Sequence, residues 1–224
     1  MTCSEAKGSI SIIEEESVKS NLFLWDFSTQ KVEVTIPANR VLDLVIETDT
    51  GDVKFTGNAS VNSLSIETDT GDINTKNSNL TVLTNANFEV DTGDIRLVKI
   101  NAASISIESD TGDIYLGDCT VTNNVKIDVD TGDVTLCGVL VCETLGITTD
   151  TGEVDADEAT VDANILSIET DTGDIDMKLS GKKADYEISV RHRTGDSNIS
   201  NQLGSPRKLT VIAVTGDIEI TFEN

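Results

Sequence analysis

The feature that most constrains this chain is a Thr-Gly-acidic triplet that returns nine times, with its glycines at Gly51, Gly71, Gly93, Gly112, Gly132, Gly152, Gly173, Gly195 and Gly216. The steps between them are 20, 22, 19, 20, 20, 21, 22 and 21 residues. A period this regular is the signature of a stacked-repeat architecture, in which each repeat contacts only its neighbours. It runs from about residue 44 to the end, so the 224 residues are expected to form one elongated domain rather than two globular ones.

Aligned on the glycine, the repeats show how each one folds. Seven residues before it stand Leu44, Leu64, Ala86, Ile105, Val125, Leu145, Leu166, Ile188 and Leu209, and five before it Ile46, Ile66, Phe88, Ile107, Ile127, Ile147, Ile168, Val190 and Val211. Two and four residues after the glycine, apolar positions recur again, as in Ile95 with Leu97 and Ile114 with Leu116. Apolar residues spaced by two on either side of a turn predict two strands that face inward on alternate positions. A weaker pair of columns, Ala59 with Val61, Leu80 with Val82, Cys119 with Val121, Val139 with Val141 and Ala159 with Val161, predicts a third.

Three short strands bury nothing alone, but coils stacked at about 4.8 Å turn each inward column into an apolar ladder. The expected fold is therefore all-β: a single parallel β-helix of about nine coils, each of roughly 21 residues with three strands, and a rod of roughly 40 Å. The right-handed preference of parallel crossovers favours a right-handed coil. A leucine-rich repeat would need a Leu-x-x-Leu-x-Leu frame, and calcium-binding nonapeptides need Gly-Gly-x-Gly-x-Asp; neither occurs.

Residues 1–40 lack the repeat and are expected to form an N-terminal cap or irregular first strands, with 41–224 forming the β-helix. The alternating run Phe23, Trp25, Phe27 and the run Lys31–Ile36 before Pro37 read as strands, and Glu14-Glu15-Glu16 as a solvated loop or edge. The four cysteines, Cys3, Cys119, Cys137 and Cys142, have neither zinc-site spacing nor the density of a disulfide framework. Cys119 falls in an apolar column and is expected to pack as a small hydrophobe; a Cys137–Cys142 bridge is compatible with the spacing.

At the corner, Gly supplies the bend, the Asp two residues earlier is expected to close an Asx turn, and the acidic residue after the glycine is expected to face solvent. The charge is −24, so over the whole chain it opposes nucleic acid and anionic lipid and favours cationic partners or divalent ions. Stacking would align carboxylates in three outward columns: Glu47, Glu67, Glu89, Glu108 and their equivalents, Asp49, Asp69, Asp91, Asp110 and theirs, and Asp52, Asp72, Asp94, Asp113 and Asp133 with theirs. Carboxylates about 4.8 Å apart repel by a little under about 1 kcal/mol in water, a load that calcium could relieve along the Asp52–Asp133 ladder. No repeat carries the six or seven clustered oxygens of a dedicated calcium loop, so no cofactor is expected beyond such diffuse calcium.

Catalysis finds little footing. An aspartic protease uses one Asp-Thr-Gly per half to make a proton-sharing pair, whereas here the triplet recurs at every corner. A polysaccharide lyase or hydrolase on a β-helix is the better enzyme alternative, but such a site needs long inserted loops, and these repeats are nearly uniform in length. Arg191, His192 and Arg193 break the pattern in the eighth repeat. They read either as a single distinctive site or as charges that neutralise acidic neighbours near the final coil, with His192 packed inward by the end cap.

The recurrent Ile-Glu-Thr-Asp-Thr-Gly-Asp-Ile units, entered through Val34-Thr35-Ile36-Pro37 and closed by Val214-Thr215-Gly216-Asp217-Ile218, resemble a bacterial adhesin family of uncharacterised domains with TGD-type β-strand repeats. The resemblance spans roughly residues 30 to 224. It implies a non-enzymatic, extracytoplasmic or cell-surface β-helix acting in adhesion, binding or spacing toward a surface protein or glycan, with no catalytic residues. Met1 is not followed by a basic segment and apolar run, and no stretch reaches the roughly 18 apolar residues of a membrane span, so no signal, anchor or direct membrane insertion is expected from the sequence as given.

Overall fold

The computed structural model describes residues 2–6, 9–13, 33–35 and 41–223. Thr2–Ala6 and Ser9–Ile13 pair antiparallel as a separate two-stranded sheet, inside the stretch expected to hold a cap or irregular first strands but at positions the sequence pattern did not single out. Glu33, Val34 and Thr35 carry no regular structure, so no strand is seen in the described part of the run expected over Lys31–Ile36; its remainder, Phe23, Trp25, Phe27 and Glu14–Glu16 lie outside the described residues.

From Asp43 onward the chain is the expected all-β parallel solenoid. Seventeen strands join one sheet system through parallel ladders. In each ladder like residues sit side by side: Leu44 on Leu64 and Ile46 on Ile66, or Val125 on Leu145 and Ile127 on Ile147. The inward columns bury almost completely, with Phe88, Ile107, Ile127, Ile147 and Ile168 each at most 1% exposed. Leu44, Ile46, Val53 and Phe55 of the first coil are only partly buried, because among the described residues no coil stacks beneath them.

Each corner is stitched to the next by one hydrogen bond from the glycine. The N–H of Gly51 donates to the carbonyl of Thr70 at 2.8 Å, Gly112 to Thr131 at 3.0 Å and Gly132 to Thr151 at 2.9 Å. The glycines hold φ of +144° to +152° at Gly51, Gly71, Gly93, Gly112 and Gly132, a region in which L side chains are strained. Beyond the first coil a second cause applies. A methyl group at Gly132 would land on the carbonyl oxygen of Gly112, because the corners approach backbone to backbone.

The order of the coils differs from the order of the chain. Gly173 donates to Thr215, not to Thr194, and Gly216 donates in turn to Thr194. Arg207–Thr215 therefore pairs with Ile165–Thr172 on one side and Tyr186–Thr194 on the other, and Ile218–Glu223 stacks on Ile175–Ser180. The last coil of the chain is inserted between the seventh and the eighth, and the eighth ends the rod. The connection after Ser180 makes this possible: through Gly181 at φ +89° and a 3₁₀ turn over Lys183–Asp185 the chain advances two rungs instead of one. Ile188 then exchanges two hydrogen bonds with Gln202, at 2.7 and 2.9 Å, and Asn201 Oδ1 accepts from the Val190 N–H, which closes the terminal edge.

The third face departs from expectation at one coil. Gly138, at φ +74°, sits at a bulge, and the strand that follows is shifted by one. Leu140 and Cys142 point inward and Val141 is 40% exposed, so Val141 does not continue the column of Val61, Val82, Val121 and Val161. Gly138 belongs to a second corner six residues after the first, which Gly57, Lys99 and Asp118 occupy elsewhere, each with positive φ.

Candidate functional site

The outward columns that flank the corners are the most distinctive chemical surface of the molecule. In the strands before the glycine, Glu47, Glu67, Glu89 and Glu108 lie on adjacent rungs, with each Glu registered on the next. Their companions Asp49, Asp69, Asp91 and Asp110 share that face and are exposed, and a depression at its first rungs is lined by Glu47, Thr48, Asp49, Glu67 and Asp69. Burial and then the charges of Glu67, Glu108, Asp91 and Asp110 push the carboxyl of Glu89 above the ordinary glutamate range. Burial and neighbouring carboxylates do the same to Glu153 and Asp176.

A raised carboxyl in the folded state means that folding binds protons, so this repulsion is absent at acid pH and grows as pH rises past the unfolded value through the folded one. Glu89→Gln is therefore expected to stabilise the protein at pH 7 by a few tenths of a kcal/mol, a surface-scale effect. Thermal melts at pH 7 and pH 4 check this, since the gain should vanish at pH 4.

The first corner aspartate does not make the expected turn bond, and the acidic residue after the glycine, exposed as expected, also takes a structural role. Asp49, Asp69 and Asp91 make no hydrogen bond among the described residues. The acidic residue after the glycine instead accepts from the next coil: Asp94 N–H donates to Asp72 Oδ1 at 3.0 Å, Asp113 to Asp94 at 3.0 Å, Asp133 to Asp113 at 2.9 Å and Glu153 to Asp133 at 2.9 Å. The ladder begins with Asp72 N–H on Asp52 at 3.2 Å and resumes with Asp217 on Asp174 and Asp196 on Asp217, both at 2.7 Å. It skips the step above Glu153, whose side chain is one methylene longer. Asp52 also pairs with Lys54 at 2.6 Å, and that partner, followed by the Asp72 amide, holds its carboxyl below the usual range.

Each carboxylate of the ladder Asp52, Asp72, Asp94, Asp113 and Asp133 thus spends one oxygen on a backbone amide. Among the described residues no three His, Cys, Asp or Glu side chains converge as a metal-binding group. The amide ladder explains why the residue after the glycine is acidic without invoking an ion: it joins coils through side chain to backbone bonds, each worth about 1 kcal/mol or somewhat more when the acceptor is charged.

The break at Arg191, His192 and Arg193 lies on the terminal coil. His192 occupies an inward position, but among the described residues no coil covers it, and the residue is exposed, with Nδ1 3.0 Å from the Gly195 carbonyl oxygen. Among the described residues that carbonyl is its hydrogen-bond partner, and no carboxylate or nucleophile is hydrogen-bonded to the ring. Cys119 is buried, as its column requires, and burial pushes its thiol up to about 11; Cys142 is pushed to about 12, and Cys119, Cys137 and Cys142 are all unbridged.

One residue escaped sequence reasoning altogether. Arg207 donates from Nε and Nη2 to the Ala163 carbonyl, from Nη1 to that of Ser180 and from Nη2 to Asp162 Oδ1 at 2.7 Å, with its guanidinium 4.5 Å over the Tyr186 ring. Tyr186 Oη donates to the same Ser180 carbonyl at 2.6 Å. Arg207 opens the inserted coil and ties it to both neighbours.

With this geometry in place, comparison with known families is decisive on kinship. The sequence model of the Toastrack DUF4097 family matches residues 2–221. The chain belongs to the Toastrack family. A Toastrack domain is an uncharacterised repeat module, and the stacked corners described above are this chain's form of it. No curated protein and no solved structure matches the chain. Among the described residues, no helix is long and apolar enough to cross a membrane.

Proposed function

We propose that this Toastrack domain is a non-enzymatic adhesion, binding or spacer module, extracytoplasmic or at the cell surface, that engages its partner through the repeated acidic face. The observation that carries this reading is the register of the Glu and Asp columns before the glycine. Seven consecutive rungs, from Glu47 and Asp49 to Glu169 and Asp171, each present at least one carboxylate, and among the described residues only Asp128 of these has a cationic partner, Lys126 at 2.8 Å. The partner is a cationic group on a surface protein or glycan, or a divalent ion held diffusely. Each contact is weak because it is exposed, and avidity comes from their number.

Two further observations support a binding face over a catalytic one. The acidic residue after seven of the nine glycines is committed to the amide ladder, and the repeats carry no long insertion that would wall a cleft. The experiment is calorimetric titration of the protein with a lysine decamer, and in parallel with millimolar calcium against an equal-ionic-strength control. The reading expects a salt-sensitive heat with the decamer; the diffuse-ion part of it fails if calcium changes neither heat nor melting temperature beyond the control.

A further inference from the structure

The inserted coil rearranges the charge of the rod in a way that chain order conceals. Along the stack the two outward columns run through carboxylates up to Glu169 and Asp171, then through Ile212 and Val214, and end in Arg191 and Arg193. Acidic, apolar and basic bands therefore follow one another toward one end. Residues 181–208, which build that end, hold six Lys or Arg against three Asp or Glu, a net of +3 in a chain of −24.

The basic groups there are available. Among the described residues, Lys182, Lys183, Arg191, Arg193 and Lys208 make no ion pair, whereas Arg207 is consumed by Asp162. Half-buried Ile212 and Val214 lie on the rung next to Arg191 and Arg193, so the arginine stems can extend over apolar surface with their heads outward. Leu203, in the segment that closes the terminal edge, is 87% exposed.

We infer that this end of the rod docks on an anionic lipid bilayer surface, with Arg191, Arg193 and Lys208 at the phosphates and Leu203 at the boundary of the acyl region. Gln202 and Asn201 already pair the terminal strand at Ile188 and Val190, which disfavours a partner that would add a strand there and leaves a surface as the matching occupant. The chain's negative charge does not prevent this. In these two columns the nearest acidic rung lies two steps, about 10 Å, from the arginines, about one screening length at physiological salt; nearer carboxylates stand in the corner column, Asp196, already counted in the net of +3, and Asp217, which accepts from the Asp196 N–H. An end-on rod would hold the acidic face away from the bilayer.

The test is co-sedimentation of the full chain, in EDTA, with vesicles of 40% phosphatidylglycerol in phosphatidylcholine and with vesicles of phosphatidylcholine alone. Binding to the anionic vesicles only, released by 0.5 M salt, is expected. Arg191→Ser/Arg193→Ser should weaken it by about 30-fold, at about tenfold per 1.4 kcal/mol and about 1 kcal/mol per basic residue at such a surface. Leu203→Ser should weaken it several-fold. Arg191→Lys/Arg193→Lys should bind like wild type, separating charge from any structural role. Glu67→Gln/Asp69→Asn should leave vesicle binding unchanged while reducing decamer binding, so the two readings fail independently. Equal sedimentation with both vesicle types, or anionic binding that survives Arg191→Ser/Arg193→Ser, overturns the inference.

Discussion

Gly132→Ala is expected to destabilise this domain far more than Gly51→Ala, although both residues occupy the same corner of the repeat. The two share the strain of φ near +150°, which costs about 1–3 kcal/mol for a side chain forced into that region. At Gly51 that is the whole effect, because the nearest atom outside the turn is Thr48 Oγ1, an ordinary 3.8 Å from the added carbon. At Gly132 the added carbon meets the carbonyl of Gly112, backbone that no side-chain rotation can move. Overpacking adds about 1–3 kcal/mol or more. Relief would separate two coils and weaken the Gly112-to-Thr131 bond and the Asp133-to-Asp113 bond beside it. Urea unfolding of the two variants beside wild type measures the difference, and equal losses would show that the corners do not press on one another.

Arg207→Ala is the second large effect, expected at about 2–4 kcal/mol, set by the part-buried Ala163 and Ser180 carbonyls left short of a charged donor rather than by the half-exposed Asp162. The side chain is 16% exposed, and its loss leaves the Ala163 and Ser180 carbonyls short of donors and Asp162 without its cation. Arg207→Lys should recover little, because an ammonium cannot reach two carbonyls and a carboxylate from one planar fork or stack on Tyr186. The damage should concentrate in the inserted coil. Hydrogen exchange is expected to quicken first at Leu209, Val211 and Ile218, while Ile66 and Ile107 stay protected. Uniform loss of protection along the rod would contradict a local clamp.

Much of this architecture is legible in the sequence because a β-solenoid repeats one local problem. The glycine spacing locates every corner, and the columns headed by Leu44 and Ile46 locate the inward faces, as the burial of their equivalents bears out. The same repetition hides the rest. Leu209, Val211, Ile218 and Ile220 fit the ladders of any rung, so periodicity alone could not say that their coil sits between Ile165–Thr172 and Tyr186–Thr194. Val139-Leu140-Val141 is apolar at every position, so the one-residue shift at Gly138 left no trace in composition. The second corner is masked because Lys99 and Asp118 adopt the positive φ that Gly57 and Gly138 take elsewhere.

The acidic face was legible as columns but not as contacts. The sequence shows two aspartates around six of the nine glycines and cannot tell which one an amide of the next coil will find. Stacking decides it. The residue after the glycine lies beside its counterpart's N–H, while the one two residues before it projects from the flat of the strand into solvent. The carboxylates that join coils and those that make no such bond are thereby separated, so under the proposed function a partner at the columns before the glycine would leave the corners intact.

The most direct test of the account is the lysine-decamer titration carried out on wild type and on Glu67→Gln/Asp69→Asn/Glu89→Gln/Asp91→Asn, a variant neutral over two adjacent rungs. Wild type is expected to bind with an affinity that falls steeply as salt rises, and the variant to lose most of that binding while melting no lower than wild type at pH 7. Equal binding by both proteins, or no binding by wild type at low salt, would contradict it.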